Sequence, residues 1–333
     1  MKPKSHPAAI PAVIVAVALT PLLAFSQTAT TSPAAVMEIN IAANGYTYIG
    51  LPVYTAVRYR GALTAVSGST ISLDDTPFDG KNFGTIAIGT EQLPQFFVEF
   101  LSGTDEGTMI PILSSTASSL TLSEDVSSFA SVGDLIQVRR FHTLNSLFPD
   151  GKPLRGGTSQ TTADEVIIYD ASRQKSFSHF YFTTANEWRQ GTVANGNRPI
   201  LPNQSIYVNR KTVATKLRVA GTVKLGLTGI DVLPGNNLVP NPYPVAYTLQ
   251  QSNLFTGNAT TGVKSGTSAT SADQVTIYGP GLIPRTYFYH SGLSQWRTGT
   301  TPSDQALIPI GASILINRRS PSSPFTWTKA QPF

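Results

Sequence analysis

Short runs that alternate apolar and polar residues, the period of a strand with one buried face, recur from Met37 almost to the end of the chain. Met37-Glu38-Ile39-Asn40-Ile41 opens the series and Phe325-Thr326-Trp327-Thr328-Lys329 closes it. Between them one ordered set of runs occurs twice. Residues 158–211 contain Thr158-Ser159, Ala163-Asp164, Val166-Ile167-Ile168-Tyr169, Phe180-Tyr181-Phe182, Trp188-Arg189, Leu201-Pro202 and Ile206-Tyr207-Val208-Asn209-Arg210. Residues 267–319 answer with Thr267-Ser268, Ala272-Asp273, Val275-Thr276-Ile277-Tyr278, Tyr287-Phe288-Tyr289, Trp296-Arg297, Ile308-Pro309 and Ile314-Leu315-Ile316-Asn317-Arg318. Shared order and nearly shared spacing predict an internal duplication and two modules of like fold.

The correspondence reaches further back. Residues 45–53 answer to 235–245, and 37–41 to the alternating segment 215–227. In the second copy 247–255 follows at once, whereas its counterpart, 142–148, comes only after a long interruption. An insertion over 58–141 accounts for the delay. It carries strand signals at 62–66, 70–73, 95–101, 108–113, 119–122 and 134–139, parted by Gly, Ser and Asp turns. Six short runs predict a small antiparallel barrel or sandwich whose ends, near Arg58 and Phe141, lie close together. The expected fold is all-β: two duplicated sandwich-like modules packed together, with a small β-barrel inserted in the first. Copy one takes 37–57 plus 142–211, the barrel 58–141 and copy two 212–333.

Composition agrees with many short strands and turns. Only 13 % of residues are charged, with 27 Gly and 24 Pro. The first residues read differently. Lys2 and Lys4 precede an apolar run from Ala8 to Ala24, and Ala24-Phe25-Ser26 fits a small-x-small cleavage site. Residues 1–26 are therefore read as a signal peptide, followed by a flexible leader over 27–36. Pro11, Pro21 and the short run argue against a retained spanning helix, which needs about 20 apolar residues, and no second run of that length follows. Loss of Lys2 and Lys4 from 24 basic residues leaves 22 against 19 acidic ones. That net +3 is scattered and does not predict nucleic-acid binding. The doublets Arg139-Arg140, Arg210-Lys211 and Arg318-Arg319 follow strand-like runs and read as solvated strand ends. The chain has no cysteine, which removes disulfides, thiolate metal sites and a cysteine nucleophile.

Candidate chemistry is sparse. Trp188 and Trp296 each follow an aromatic strand and read as core plugs; the sharper alternative is a platform for sugar stacking, with Tyr181, Tyr287 and Tyr289 beside them. Asp164 and Asp273 stand two residues before their strands and read as acceptors of backbone N–H groups in turns. Thr104-Asp105-Glu106-Gly107 reads as a hairpin tip. His142, His179 and His290 have no metal-ligand spacing, and no nucleotide-binding or hydrolase motif occurs. No catalytic residue, metal ligand or cofactor is assigned.

The ordered pattern resembles a family of uncharacterised exported β-rich proteins of Verrucomicrobia-type bacteria. The carriers are Tyr48 to Pro52, Phe100 to Gly107, Val132 to Val138 and the blocks around Trp188 and Trp296. Asn241-Pro242-Tyr243-Pro244 is also similar to a segment of some bacterial surface proteins. The resemblance implies export and a β-rich body, and brings no activity with it.

The resulting expectation is an exported, non-catalytic structural or binding protein of the cell envelope or surface, in the periplasm or outside the cell. Its partner class is a cell-surface glycan or an envelope protein. The alternative is a secreted polysaccharide hydrolase, which needs two carboxylates roughly 5–10 Å apart; Asp164, Asp273, Asp105 and Glu106 are its candidates. An outer-membrane barrel, suggested by the terminal Phe333, is disfavoured by the lack of roughly ten-residue strands.

Overall fold

The computed structural model describes residues 33–74, 76–279, 283–319 and 322–333, and residues 33–333 form one compact unit. The expected signal peptide lies outside the described residues. The described chain is nearly all β, and no helix in it is long and apolar enough to cross a membrane. The leader is shorter than expected, because Ala34–Ile41 is already a strand.

Two antiparallel six-stranded sheets dominate. The first runs Val193–Ala194, Glu187–Gln190, Lys175–Phe182, Glu165–Asp170, Ile206–Arg210, Gly45–Ile49. The second runs Thr301–Pro302, Gln295–Thr298, Arg285–His290, Gln274–Tyr278, Ser313–Arg318, Gly235–Pro240. The strand order is the same, position for position. Each sheet has one apolar face to cover. In the first half the cover is Ala34–Ile41 paired with Thr215–Val223, plus Val53–Tyr54. In the second it is Thr228–Val232 paired with Phe325–Lys329.

That pairing corrects one expected correspondence. Segment 215–227 does not stand in for 37–41 in the second half. Thr215–Val223 pairs with Ala34–Ile41 and so occupies the place that Phe325–Lys329 has in the other half; Thr228–Val232 takes the place of 37–41. Alternation identifies a strand and its buried face, but not the partner that covers it.

The cores follow from the alternation. Val166, Ile168, Ile206 and Val208 meet Ile39, Ile41, Leu217 and Val219 in the first half. Val275, Ile277, Ile314 and Ile316 meet Ile230, Val232, Phe325 and Trp327 in the second. Trp188 is 0 % exposed, lies 5.7 and 5.8 Å from the Phe148 and Tyr181 rings, and donates from Nε1 to the Phe148 carbonyl at 3.2 Å. Trp327, equally buried, donates to the Ser252 carbonyl at 2.8 Å. An indole is accepted in a core when its one N–H finds such a carbonyl.

Between Val57 and Arg140 the chain forms a closed six-stranded antiparallel barrel. Its strands are Val57–Ser67, Thr70–Leu73, Phe96–Phe100, Met109–Ser115, Ser119–Leu122 and Leu135–Arg140. Closure removes the unpaired edges that a small sheet would leave. Arg139 stands opposite Val57, so entry and exit are adjacent. A further hairpin, Thr85–Ile88 with Glu91–Pro94, was not expected from the alternation.

The halves meet along a seam of rings and backbone. Tyr48 stacks on Tyr278 of the other half at 3.9 Å and on Tyr207 at 5.0 Å, and burial pushes its hydroxyl up to about 12. The Gly50 N–H donates to the Gly311 carbonyl at 2.9 Å. The Gln174 side-chain amide pairs with the Asn236 backbone, accepting from its N–H at 2.8 Å and donating to its carbonyl at 2.9 Å. The barrel touches the second half through Gly107, whose φ of +92° and closeness to the Leu227 carbonyl leave no room for a side chain.

Trp188→Ala and Trp296→Ala are each expected to destabilise the fold by roughly 3–5 kcal/mol, read from denaturant unfolding. An unchanged midpoint would remove both indoles from the cores.

Candidate functional site

The aromatic candidates fall on matching hairpins. Tyr181 stands opposite Trp188, and Tyr289 opposite Trp296. Trp188, Trp296, Tyr181 and Tyr287 are all buried in the two cores. Tyr289 is half-buried and stacks on Phe255 at 3.5 Å. Neither indole has a free face for a sugar ring, so no stacking platform exists at these positions. The recurrence of these rings has a packing cause.

Asp164 and Asp273 occupy the same place in the two halves. Asp164 Oδ2 accepts from the Arg155 N–H at 2.7 Å and from the Arg210 guanidinium at 2.5 Å, while Oδ1 accepts from the Lys211 N–H at 2.8 Å. Asp273 accepts from the Lys264 N–H at 2.8 Å, from Arg318 at 2.9 Å and from the Arg319 N–H at 2.8 Å. Each carboxylate ties the loop before its own strand to the end of the neighbouring one. These are turn acceptors, as their positions suggested, but with a buried cation added.

The arginines correct the reading of the basic doublets. Arg210 is 6 % exposed, Arg318 2 % and Arg139 2 %; they are not solvated strand ends. A signal was present. Ile206, Val208 and Arg210 share one strand phase, as do Ile314, Ile316 and Arg318, so the alternation itself directs these arginines inward.

Asp105 and Glu106 sit between Phe96–Phe100 and Met109–Ser115, where Glu106 Oε1 accepts from the Leu227 N–H at 3.2 Å. The histidines are equally separate in role. His142 lies 3.0 Å from the Val53 carbonyl through Nε2. His179 is 0 % exposed; burial, helped by the Arg198 charge, lowers it to about 4. Among the described residues no group of three His, Asp or Glu could hold a metal ion. The Asn241-Pro242-Tyr243-Pro244 segment is a clamp. Asn241 donates to the Val245 and Pro309 carbonyls at 2.9 and 3.0 Å, and the Tyr243 hydroxyl donates to the Gly226 carbonyl at 2.5 Å.

What the sequence did not foresee is a cleft of about 140 Å³ where barrel, first half and second half meet. Met109 and Glu124 come from the barrel, Phe141 and Asn203 from the first half, and Asp231 and Thr326 from the second. A second recess of about 240 Å³ shares Leu201, Asn203 and Asp231 with it and adds Asp170, Gln204 and Asn237. Asp231 accepts from the Thr326 hydroxyl at 2.8 Å. The Glu124 side chain reaches solvent, yet partial burial and then the Asp231 charge push its carboxyl upward. None of Asp164, Asp273, Asp105 and Glu106 lines this cleft. Glu124 and Asp231 stand far apart in the chain and become neighbours through the docking of whole bodies, which local patterning does not encode.

Comparison of the chain with protein-family models, with curated proteins and with solved structures finds no match.

Asp164→Ala and Asp273→Ala are each expected to cost about 3–5 kcal/mol, because each leaves a buried guanidinium without its carboxylate; denaturant titration checks this. Acid is expected to weaken the fold before its carboxylates titrate. The unfolded chain binds a proton at His179 near 6.5 and the folded chain near 4, so stability is full above 6.5 and falls as pH drops toward 4, by on the order of 3 kcal/mol. His142, lowered by burial, adds in the same direction. Melting temperatures from pH 7 to 4.5 should decline, with a shallower slope in His179→Leu.

Proposed function

We propose that this chain is an exported, non-catalytic structural or binding protein of the cell envelope or surface, built by internal duplication. One observation carries the reading. The carboxylates that recur in both halves are saturated by an arginine and by backbone N–H groups, which leaves them no part in acid–base chemistry. The cleft at the three-body junction is the binding site of this proposal. At about 140 Å³ it is small beside ligand pockets of roughly 300–1,000 Å³. With the adjoining recess it offers carboxylate, amide and hydroxyl groups beside Phe141 and Leu201, a lining suited to the end of a surface glycan. The expected signal peptide and the family resemblance belong to the same proposal.

A second reading rests on Glu124 and Asp231. Two carboxylates in one cleft, one of them pushed upward by its surroundings, are the parts of an acid and a base in polysaccharide hydrolysis. The two readings separate in one experiment. Glycan-array binding without release of reducing ends is the expected result. Turnover lost in both Glu124→Gln and Asp231→Asn, with unchanged melting temperatures, would establish the hydrolase instead.

A further inference from the structure

The barrel and the first half meet across a buried charge cluster that no core or cleft absorbs. Val98 and Phe100 fill the barrel, so Glu99, between them, faces outward toward the first half. Gln137 stands opposite Glu99 in the strand register and donates from Nε2 to Glu99 Oε2 at 2.6 Å. Arg139 Nε lies 3.3 Å from the same oxygen, while its Nη1 donates to the Thr55 carbonyl at 2.6 Å and to the Thr222 hydroxyl at 2.5 Å. The other oxygen, Oε1, accepts from the ammonium of Lys224, the residue after Thr215–Val223. Glu99 is 0 % exposed and Lys224 1 %.

As ions these groups are badly matched. One carboxylate faces two cations, all out of water, where each charge carries a desolvation penalty. An ammonium has three N–H groups to place, and among the described residues that of Lys224 donates to Glu99 alone. In water a carboxylate and an ammonium outlast their condensation product. In a dry site that preference weakens, because condensation removes both ions and leaves Arg139 as the one remaining charge, held by the Thr55 carbonyl and the Thr222 hydroxyl.

We propose that Lys224 and Glu99 condense into an intramolecular amide cross-link. Lys224 Nζ bonds to Glu99 Cδ, and the Cδ–Oε1 bond breaks. Two protons of the ammonium leave with Oε1 as water, so one positive and one negative charge vanish together and no oxidant, reductant or activating group is consumed. Gln137 donates to Oε2, the oxygen on which negative charge gathers in the tetrahedral intermediate, and the Arg139 charge lies beside it. The fold holds amine and carbonyl together in place of a bimolecular encounter. Buried Tyr54, Phe97 and Phe141 form an apolar cluster on this side of the barrel, which keeps bulk water from reversing the step. The product has one N–H to satisfy instead of three, and its carbonyl keeps the Gln137 donor. The bond closes a loop across 125 positions and fastens barrel to host in a chain without cysteine.

Intact mass of the purified full chain under denaturing conditions tests this, with the N-terminus determined in parallel. The expected mass is that of the sequence less one water. A tryptic digest should yield a branched peptide joining Lys224 to Glu99, uncleaved after Lys224. Lys224→Arg and Glu99→Ala should each restore the full mass. A wild-type chain at full mass overturns the proposal whether or not the variants fold. So does loss of ammonia with the branch at Gln137, and so does loss of water without a branched peptide.

Discussion

Each half depends on a carboxylate that joins a loop to the end of a neighbouring strand. Asp164 and Asp273 stand where the middle strands of the two sheets begin, and Arg210 and Arg318 where the adjacent strands end. A guanidinium carries five N–H groups in a fixed fork, and here the fork is spread over several loops. Arg210 also reaches the Pro153 and Val213 carbonyls, at 3.3 and 2.8 Å. Arg318 reaches those of Gly262 and Ser323, at 2.9 and 2.8 Å. The loops at this end of each sheet, poor in apolar residues, are thus ordered around an ion pair. Burying these charges is tolerable because each carboxylate accepts from a guanidinium and from backbone N–H groups directed at it.

This explains which parts of the molecule were legible in the sequence. Strands declare themselves by period, and the barrel by six short runs between Gly, Ser and Asp turns. Trp188 and Trp296 declare themselves by place, after aromatic strands whose inward faces need filling. The inward arginines were equally legible through their phase with Ile206, Val208, Ile314 and Ile316, but a charge at a strand end is normally assigned to solvent. Glu99 is harder. Its strand, Phe96–Phe100, is buried on both faces, and what covers the outward face is the first half itself. Pairing between strands distant in sequence is not legible either, which is why 215–227 reads as a strand of the second half although Thr215–Val223 covers the first.

The junction cleft lies a further step from the sequence. Glu124 follows a barrel strand, Asp231 lies within Thr228–Val232, and Asn203 lies in the loop before Ile206–Arg210. None of these residues has a neighbour in sequence that marks it. They meet because the inserted barrel docks against both halves, so the site belongs to the assembly of bodies and not to any one of them.

The seams that set this assembly differ in kind. The halves meet through stacked tyrosines and paired backbone, contacts that tolerate small slides because ring stacking is broad in geometry. The barrel meets the first half through Glu99, Gln137 and Arg139, whose directional bonds admit few alternatives. A cleft walled by three bodies keeps its shape only if at least one seam forbids sliding. The charged seam does so for barrel and first half, and Glu106, through the Leu227 N–H, extends the same constraint to the connection that opens the second. Orientation of the cleft walls is thereby fixed by polar contacts, while the apolar cores hold each wall together.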